Sequence, residues 1–145
     1  MDRFLAAAIE EARKGLASGG IPIGSVLVCD GEIIGRGHNQ RVQKGSVIHH
    51  AEMNCFENAG RQKASVYKRC VLYSTLSPCP MCSGTALLYK IPRIVIGCCR
   101  SFNASETIKY EVFDRPRAFS GLCMHQQPAP WCCAMLGSGS GAGFG

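Results

Sequence analysis

Pro78-Cys79-Pro80-Met81-Cys82, read together with His50-Ala51-Glu52, decides the fold of this 145-residue chain. Each stretch has the look of a helix start. Cys79 and Cys82 stand three residues apart, so in a first helical turn their sulfurs point the same way. The free N–H groups and positive dipole of such a turn favour the thiolate that a metal requires. His50 adds an imidazole nitrogen. Three N/S ligands with a fourth position open is the donor set of a catalytic zinc ion, whereas structural zinc is closed by four. Glu52 follows His50 by two residues, too close along one turn to share the metal comfortably. It is better placed to carry protons beside the open position. Cys-x-x-Cys alone reads equally as a redox pair or half a structural zinc site. The two halves together, with His50 and Cys79 standing 29 residues apart, read as zinc hydrolytic chemistry.

Working outward, the flanking segments alternate helix and strand. Residues 2–18 carry Phe4, Leu5, Ala8, Ile9, Ala12 and Leu16 on one stripe, with Glu10, Glu11, Arg13 and Lys14 elsewhere, which predicts an amphipathic helix. Gly19 and Gly20 stop it. Residues 22–29 read as an apolar strand, Asp30-Gly31 as a hairpin turn, and residues 32–37 as the returning strand. A polar loop over 38–48 leads to a second helix ending at Gly60. A strand then runs to Thr75, and a third helix from Pro78 or Cys79 to Tyr89 packs Ala86, Leu87 and Leu88 inward. A strand over 91–97 follows, opened by Pro92. The strand–helix–strand order implies a parallel crossover with helices on both sheet faces. The expected fold class is therefore α/β, a three-layer α/β/α sandwich around a central mixed sheet.

The His-x-Glu and Pro-Cys-x-x-Cys spacing matches the pattern established for zinc deaminases. Together with Gly20-Ile21-Pro22-Ile23-Gly24, Gly35-Arg36-Gly37-His38-Asn39, Gln43-Lys44-Gly45-Ser46, Glu57-Asn58-Ala59-Gly60-Arg61 and Tyr73-Ser74-Thr75-Leu76-Ser77, it resembles the cytidine-deaminase-like superfamily. Within it the chain is most similar to the fungal-type cytosine deaminases. The resemblance spans residues 9–110 and implies Zn2+ on His50, Cys79 and Cys82, with Glu52 as the catalytic proton carrier. It further implies substrate contacts from the Asn39 amide, the Ala51 N–H, the Ser77 carbonyl, and Ile23 and Phe102 as pocket walls. The implied reaction is hydrolysis of cytosine to uracil and ammonia, a step of pyrimidine salvage. The alternatives are the sister reaction on tRNA adenosine, or deamination of another nucleobase or nucleoside, and a catalytically impaired zinc scaffold. A homodimer is implied, with a small nucleobase as substrate.

Past Asp114 the pattern breaks. Glu111-Val112-Phe113 begins like a strand that Arg115-Pro116-Arg117 interrupts, and residues 115–145 contain neither Asp nor Glu. The family's closing C-terminal helix carries an aromatic and an acidic residue. Here Trp131 stands in a comparable place, but Ala134 follows where the acid is expected. The reading is thus a deaminase domain over 1–114 and a divergent, largely disordered tail over 115–145, whose C-terminal strand and helix are incomplete and whose lost carboxylate weakens substrate binding.

Composition narrows the partners. The sequence has 46% hydrophobic and 18% charged residues and a net charge of +6, ordinary for a globular domain. Lysines and arginines are scattered, which argues against a nucleic-acid face. No apolar run is long enough to span a bilayer, and no signal-peptide pattern opens the chain, so a cytoplasmic and also nuclear location is expected. Of the ten cysteines, Cys29, Cys55, Cys70 and Cys98 fall in apolar segments and are expected to be buried.

Overall fold

The computed structural model describes residues 2–98 and 109–114. Helix α1 (Arg3–Ala17) begins at Asp2, whose carboxylate accepts the N–H groups of Phe4 and Leu5 and so satisfies two of the donors a helix start leaves free. Strands β1 (Gly24–Cys29) and β2 (Glu32–His38) form the hairpin expected around Asp30-Gly31, both of which take positive φ. The first strand starts two residues later than its composition suggests. Ile23 N–H bonds to Ile21 O, a tight local turn that holds this segment out of the ladder.

The polar loop contains a single helical turn, α2 (Arg41–Lys44), closed by Gly45 in the left-handed conformation. Helix α3 (Ala51–Ala59) is followed by another unexpected turn, α4 (Ala64–Tyr67), and then by β3 (Cys70–Ser74), α5 (Pro80–Leu88), β4 (Arg93–Cys98) and β5 (Lys109–Asp114). Both short turns escape a periodicity reading because four residues are too few to show a helical repeat. Strand β5 ends immediately before Arg115-Pro116-Arg117 and pairs antiparallel with β4, covering the edge that a missing strand would have left open. The tail over 115–145 lies outside the described residues.

The sheet order is β2-β1-β3-β4-β5. Its β3–β4 pair is parallel, crossed by α5, and its other pairs are antiparallel. This is the mixed sheet expected. Side chains alternate across β1. Val26 and Val28 pack with Ala7 and Ala8 of α1, while Leu27 and Cys29 pack with Cys55 and Ala59 of α3, Leu72 of β3 and Ala86 of α5. Among the described residues, α1 therefore lies on one face, and α3 with α5 on the other.

Glycines let the helices sit close to the sheet. A Cβ on Gly24 would lie 2.0 Å from Ala8 O, and one on Gly37 would lie 2.3 Å from Cys55 N and 2.7 Å from Ala51 O. The backbone of α3 thus rests directly on β2, fixing the depth at which its N-terminal turn enters the molecule.

Two expected orientations are corrected. Glu11, expected to lie off the apolar stripe of α1, is nonetheless 4% exposed. It meets Lys14 at 2.6 Å, His38 at 3.5 Å and Arg36 at 3.8 Å, so partners on α1 and β2 compensate its burial. Leu88, expected inward, is 72% exposed. The inward face of α5 is instead Cys82, Ser83 and Ala86, with Ala86 three residues after Ser83 and four after Cys82, which leaves Leu88 on the outer side.

Candidate active site

The N-terminal ends of α3 and α5 meet at the sheet. His50 is the residue preceding α3 and Cys79 the residue preceding α5, both in extended backbone conformation, and neither uses its side chain to cap its helix. Their side chains are left free to face one another. Pro80, at the first helical position, has no N–H to leave unsatisfied and presets the helical φ. Cys82 lies one turn further on and is fully buried.

The three ligand atoms converge. His50 Nδ1 lies 3.6 Å from Cys79 Sγ and 3.8 Å from Cys82 Sγ, and the two sulfurs are 3.7 Å apart. A tetrahedral zinc ion about 2.3 Å from sulfur and about 2.05 Å from nitrogen sets S–S edges of about 3.8 Å and S–N edges of about 3.6 Å. The donor triangle therefore fits zinc in both chemistry and size, and these residues are positioned to bind the metal.

Electrostatics point the same way. Burial, reinforced by the nearby Glu52 and Cys79, drives the Cys82 thiol far above its ordinary value. Without a cation this corner holds too much potential negative charge, and a divalent ion relieves it. For His50, burial outweighs the pull of Glu52 and Arg41 adds to it, so its pKa falls. The neutral imidazole that ligates a metal is thereby favoured.

Glu52 lies in the first turn of α3 and is 3% exposed. Its Oε1 accepts a 2.8 Å hydrogen bond from Ser74 Oγ, and its Oε2 accepts one of 3.4 Å from Cys82 Sγ. One carboxylate oxygen is anchored to the end of β3 while the other faces the metal ligands. Ser74 is a site residue that the sequence reading passed over. Its signal was faint: it is the last inward-facing position of β3, after Cys70 and Leu72.

The other expected site residues are placed as follows. Asn39 is buried, bonds through its N–H to Ile23 O, and accepts Arg41 N–H on Oδ1. Its backbone thus ties the start of β1 to the loop after β2. Ile23 is half-buried beside it, and Ala51 is fully buried at the first helical position, where an N–H has no partner within the helix. Ser77 is exposed, two residues before Cys79. Phe102 lies outside the described residues. His38 bonds to Glu11 and Gln40, and His49 faces Lys44 and Glu57, so neither histidine joins the ligand set.

Known proteins resemble this chain over the residues that hold the site. The family described as the cytidine and deoxycytidylate deaminase zinc-binding region matches residues 1–98. A cytosine deaminase from Candida albicans is 46% identical over 108 residues, covering 74% of this chain and 72% of its own length. A tRNA-specific adenosine deaminase from Streptococcus pyogenes is 43% identical over 95 residues, covering 65% of this chain and 60% of its own length. The solved structure of a tRNA:A34 deaminase that edits A to I at the wobble position aligns with a TM-score of 0.59 at 32% identity. That alignment covers 67% of this chain and 71% of the other. The match over residues 1–98 encloses the whole donor triangle and Glu52, and on that ground the chain belongs to the cytidine and deoxycytidylate deaminase zinc-binding family.

Proposed function

We propose that this protein hydrolytically deaminates a free nucleobase, converting cytosine to uracil and ammonia. One observation carries the reading: a buried carboxylate, Glu52, stands beside a complete set of zinc ligands without being one of them. The 46% identity to a cytosine deaminase supports this choice of base.

Zinc held by His50, Cys79 and Cys82 would supply Lewis-acid activation of water near neutral pH. The chain's own residues do the rest. Glu52 Oε2 takes a proton from the attacking water and passes it to ring N3, so that C4 becomes electrophilic as the new C–O bond forms. The same oxygen then takes the remaining proton from the new C4 hydroxyl and delivers it to the amine, so that the C4 carbonyl forms as the C–N bond breaks and ammonia leaves. Asn39, its Oδ1 engaged by Arg41, would donate its NH2 to the base carbonyl. The Ala51 N–H would donate to the ring and the Ser77 carbonyl would accept from the departing amine. Ile23, with Phe102, would wall the ring.

Ser74 holds Glu52 Oε1, so Ser74→Ala is expected to lower kcat about tenfold through lost orientation, with KM and zinc content nearly unchanged. Ser74→Thr, which restores the hydroxyl, is expected to recover most of the loss. A kcat for Ser74→Ala equal to wild type would remove the hydroxyl from the mechanism.

The second reading is deamination of adenosine in tRNA, favoured by the 43% identity to a tRNA-specific adenosine deaminase. Ultraviolet assays on cytosine, alongside an inosine assay on tRNA, separate the two. Turnover of cytosine and none of tRNA is expected; the reverse would replace the first reading with the second. Inactivity on both, with zinc bound, would leave a metal-binding scaffold. The enzyme is taken to act as a homodimer, with the exposed Val42, Val47 and Ile48 as apolar surface available for association.

A further inference from the structure

Away from the metal ligands, at the far end of the β1–β3 ladder, Cys29 and Cys70 stand directly opposite one another. The ladder's hydrogen bonding fixes the kind of pair they form. At its other end Thr75 N–H bonds to Gly24 O at 3.0 Å, which makes Gly24 and Thr75 a hydrogen-bonded position. Such positions alternate along an antiparallel ladder. Val26–Tyr73 and Val28–Val71 share that type, while Ser25–Ser74, Leu27–Leu72 and Cys29–Cys70 are non-hydrogen-bonded pairs. Their Cα atoms stand about 4.5 Å apart, and their side chains are the closer kind. A disulfide accepts Cα separations of about 4.4–6.8 Å.

The side chains agree with the backbone. Both lie on the sheet face that carries α3, and both are free thiols. Both donate to one acceptor, Val66 O of α4, Cys29 Sγ at 3.8 Å and Cys70 Sγ at 3.3 Å. Cys29 Sγ also reaches Asp30 Oδ2 at 3.5 Å, at the surface turn where Arg69 bonds the same carboxylate.

We propose that Cys29 and Cys70 are an oxidisable cross-strand dithiol that closes to a disulfide with a small-molecule disulfide as oxidant. Cys29, 7% exposed against 0% for Cys70 and next to the turn, reacts first. Its thiolate attacks one sulfur of the oxidant, forming a mixed disulfide and releasing one thiolate. Cys70 loses its proton to solvent, attacks the Cys29 sulfur, and expels the second thiolate. Two protein thiols are oxidised and one disulfide is reduced to two thiols. Burial, with Cys29 alongside, pushes the Cys70 thiol up to about 12, so the closing step speeds up as pH rises.

The test treats the zinc-loaded full chain with oxidised glutathione, blocks free thiols by alkylation, and maps peptides by mass spectrometry. A cross-linked peptide joining Cys29 to Cys70, two hydrogens lighter than the sum of its parts, is expected, with more of it at pH 9 than at pH 7. In Cys70→Ser the expected product is glutathione retained on Cys29. Cys70→Ala serves if the serine variant does not fold. Alkylation of both Cys29 and Cys70 under conditions that oxidise other cysteines, or pairing of either with a different cysteine, would overturn the proposal.

Discussion

Glu52→Gln is expected to lower kcat on the deaminated base by roughly 10³-fold or more, the upper part of the range for a general acid–base residue. That loss corresponds to about 4 kcal/mol of transition-state stabilisation. Glutamine fills the same volume and can still accept the Ser74 hydroxyl on its carbonyl oxygen, so the first turn of α3 keeps its place against β3. What it cannot do is accept the proton of the attacking water or return one to the ring and the amine. Zinc content measured by atomic absorption should stay at the wild-type level, because the three ligand atoms belong to His50, Cys79 and Cys82. Inactivity with the metal retained is the signature of a proton carrier. Turnover within tenfold of wild type at full zinc occupancy would exclude Glu52 from that role.

Cys82→Ala is expected to fail differently, losing metal and stability together. Cys82 is one of three ligands and is fully buried where α5 meets α3. Two ligands from the starts of different helices do not retain zinc as three do, and the binding free energy that ties those helices together goes with it. A ligand held at about a thousand times its dissociation constant stabilises a fold by about 4 kcal/mol. At about 2–4 °C per kcal/mol for a domain of this size, the melting temperature should fall by roughly 10 °C. A chelator should lower the wild-type transition by a similar amount and leave the variant's unchanged. A Cys82→Ala protein that keeps stoichiometric zinc would remove Cys82 from the ligand set.

The contrast between these variants rests on a division of labour that differs in how far it can be read from sequence. The ligand set was legible because its logic is local. Cys79 and Cys82 share a helical turn, His50 and Glu52 share another, and the residue types select one metal. The layers were legible too, since the α1 stripe and the apolar strands each carry their own period. Leu88 and Glu11 were misplaced by the same reasoning. Both sit on helices whose rotation is set by what the sheet offers, and for Glu11 that is Arg36 and His38 on β2.

By itself, then, the sequence determined the metal, its three ligands, the candidate proton carrier and the alternation of helix with strand. Only the tertiary structure decided which oxygen of Glu52 is held by Ser74, 22 residues away, and that Cys29 and Cys70 face each other across a ladder. The physical reason is register. Partners brought together by strand pairing carry no mark in the local pattern of either strand, and shifting a strand by one residue would turn every such side chain to the opposite face.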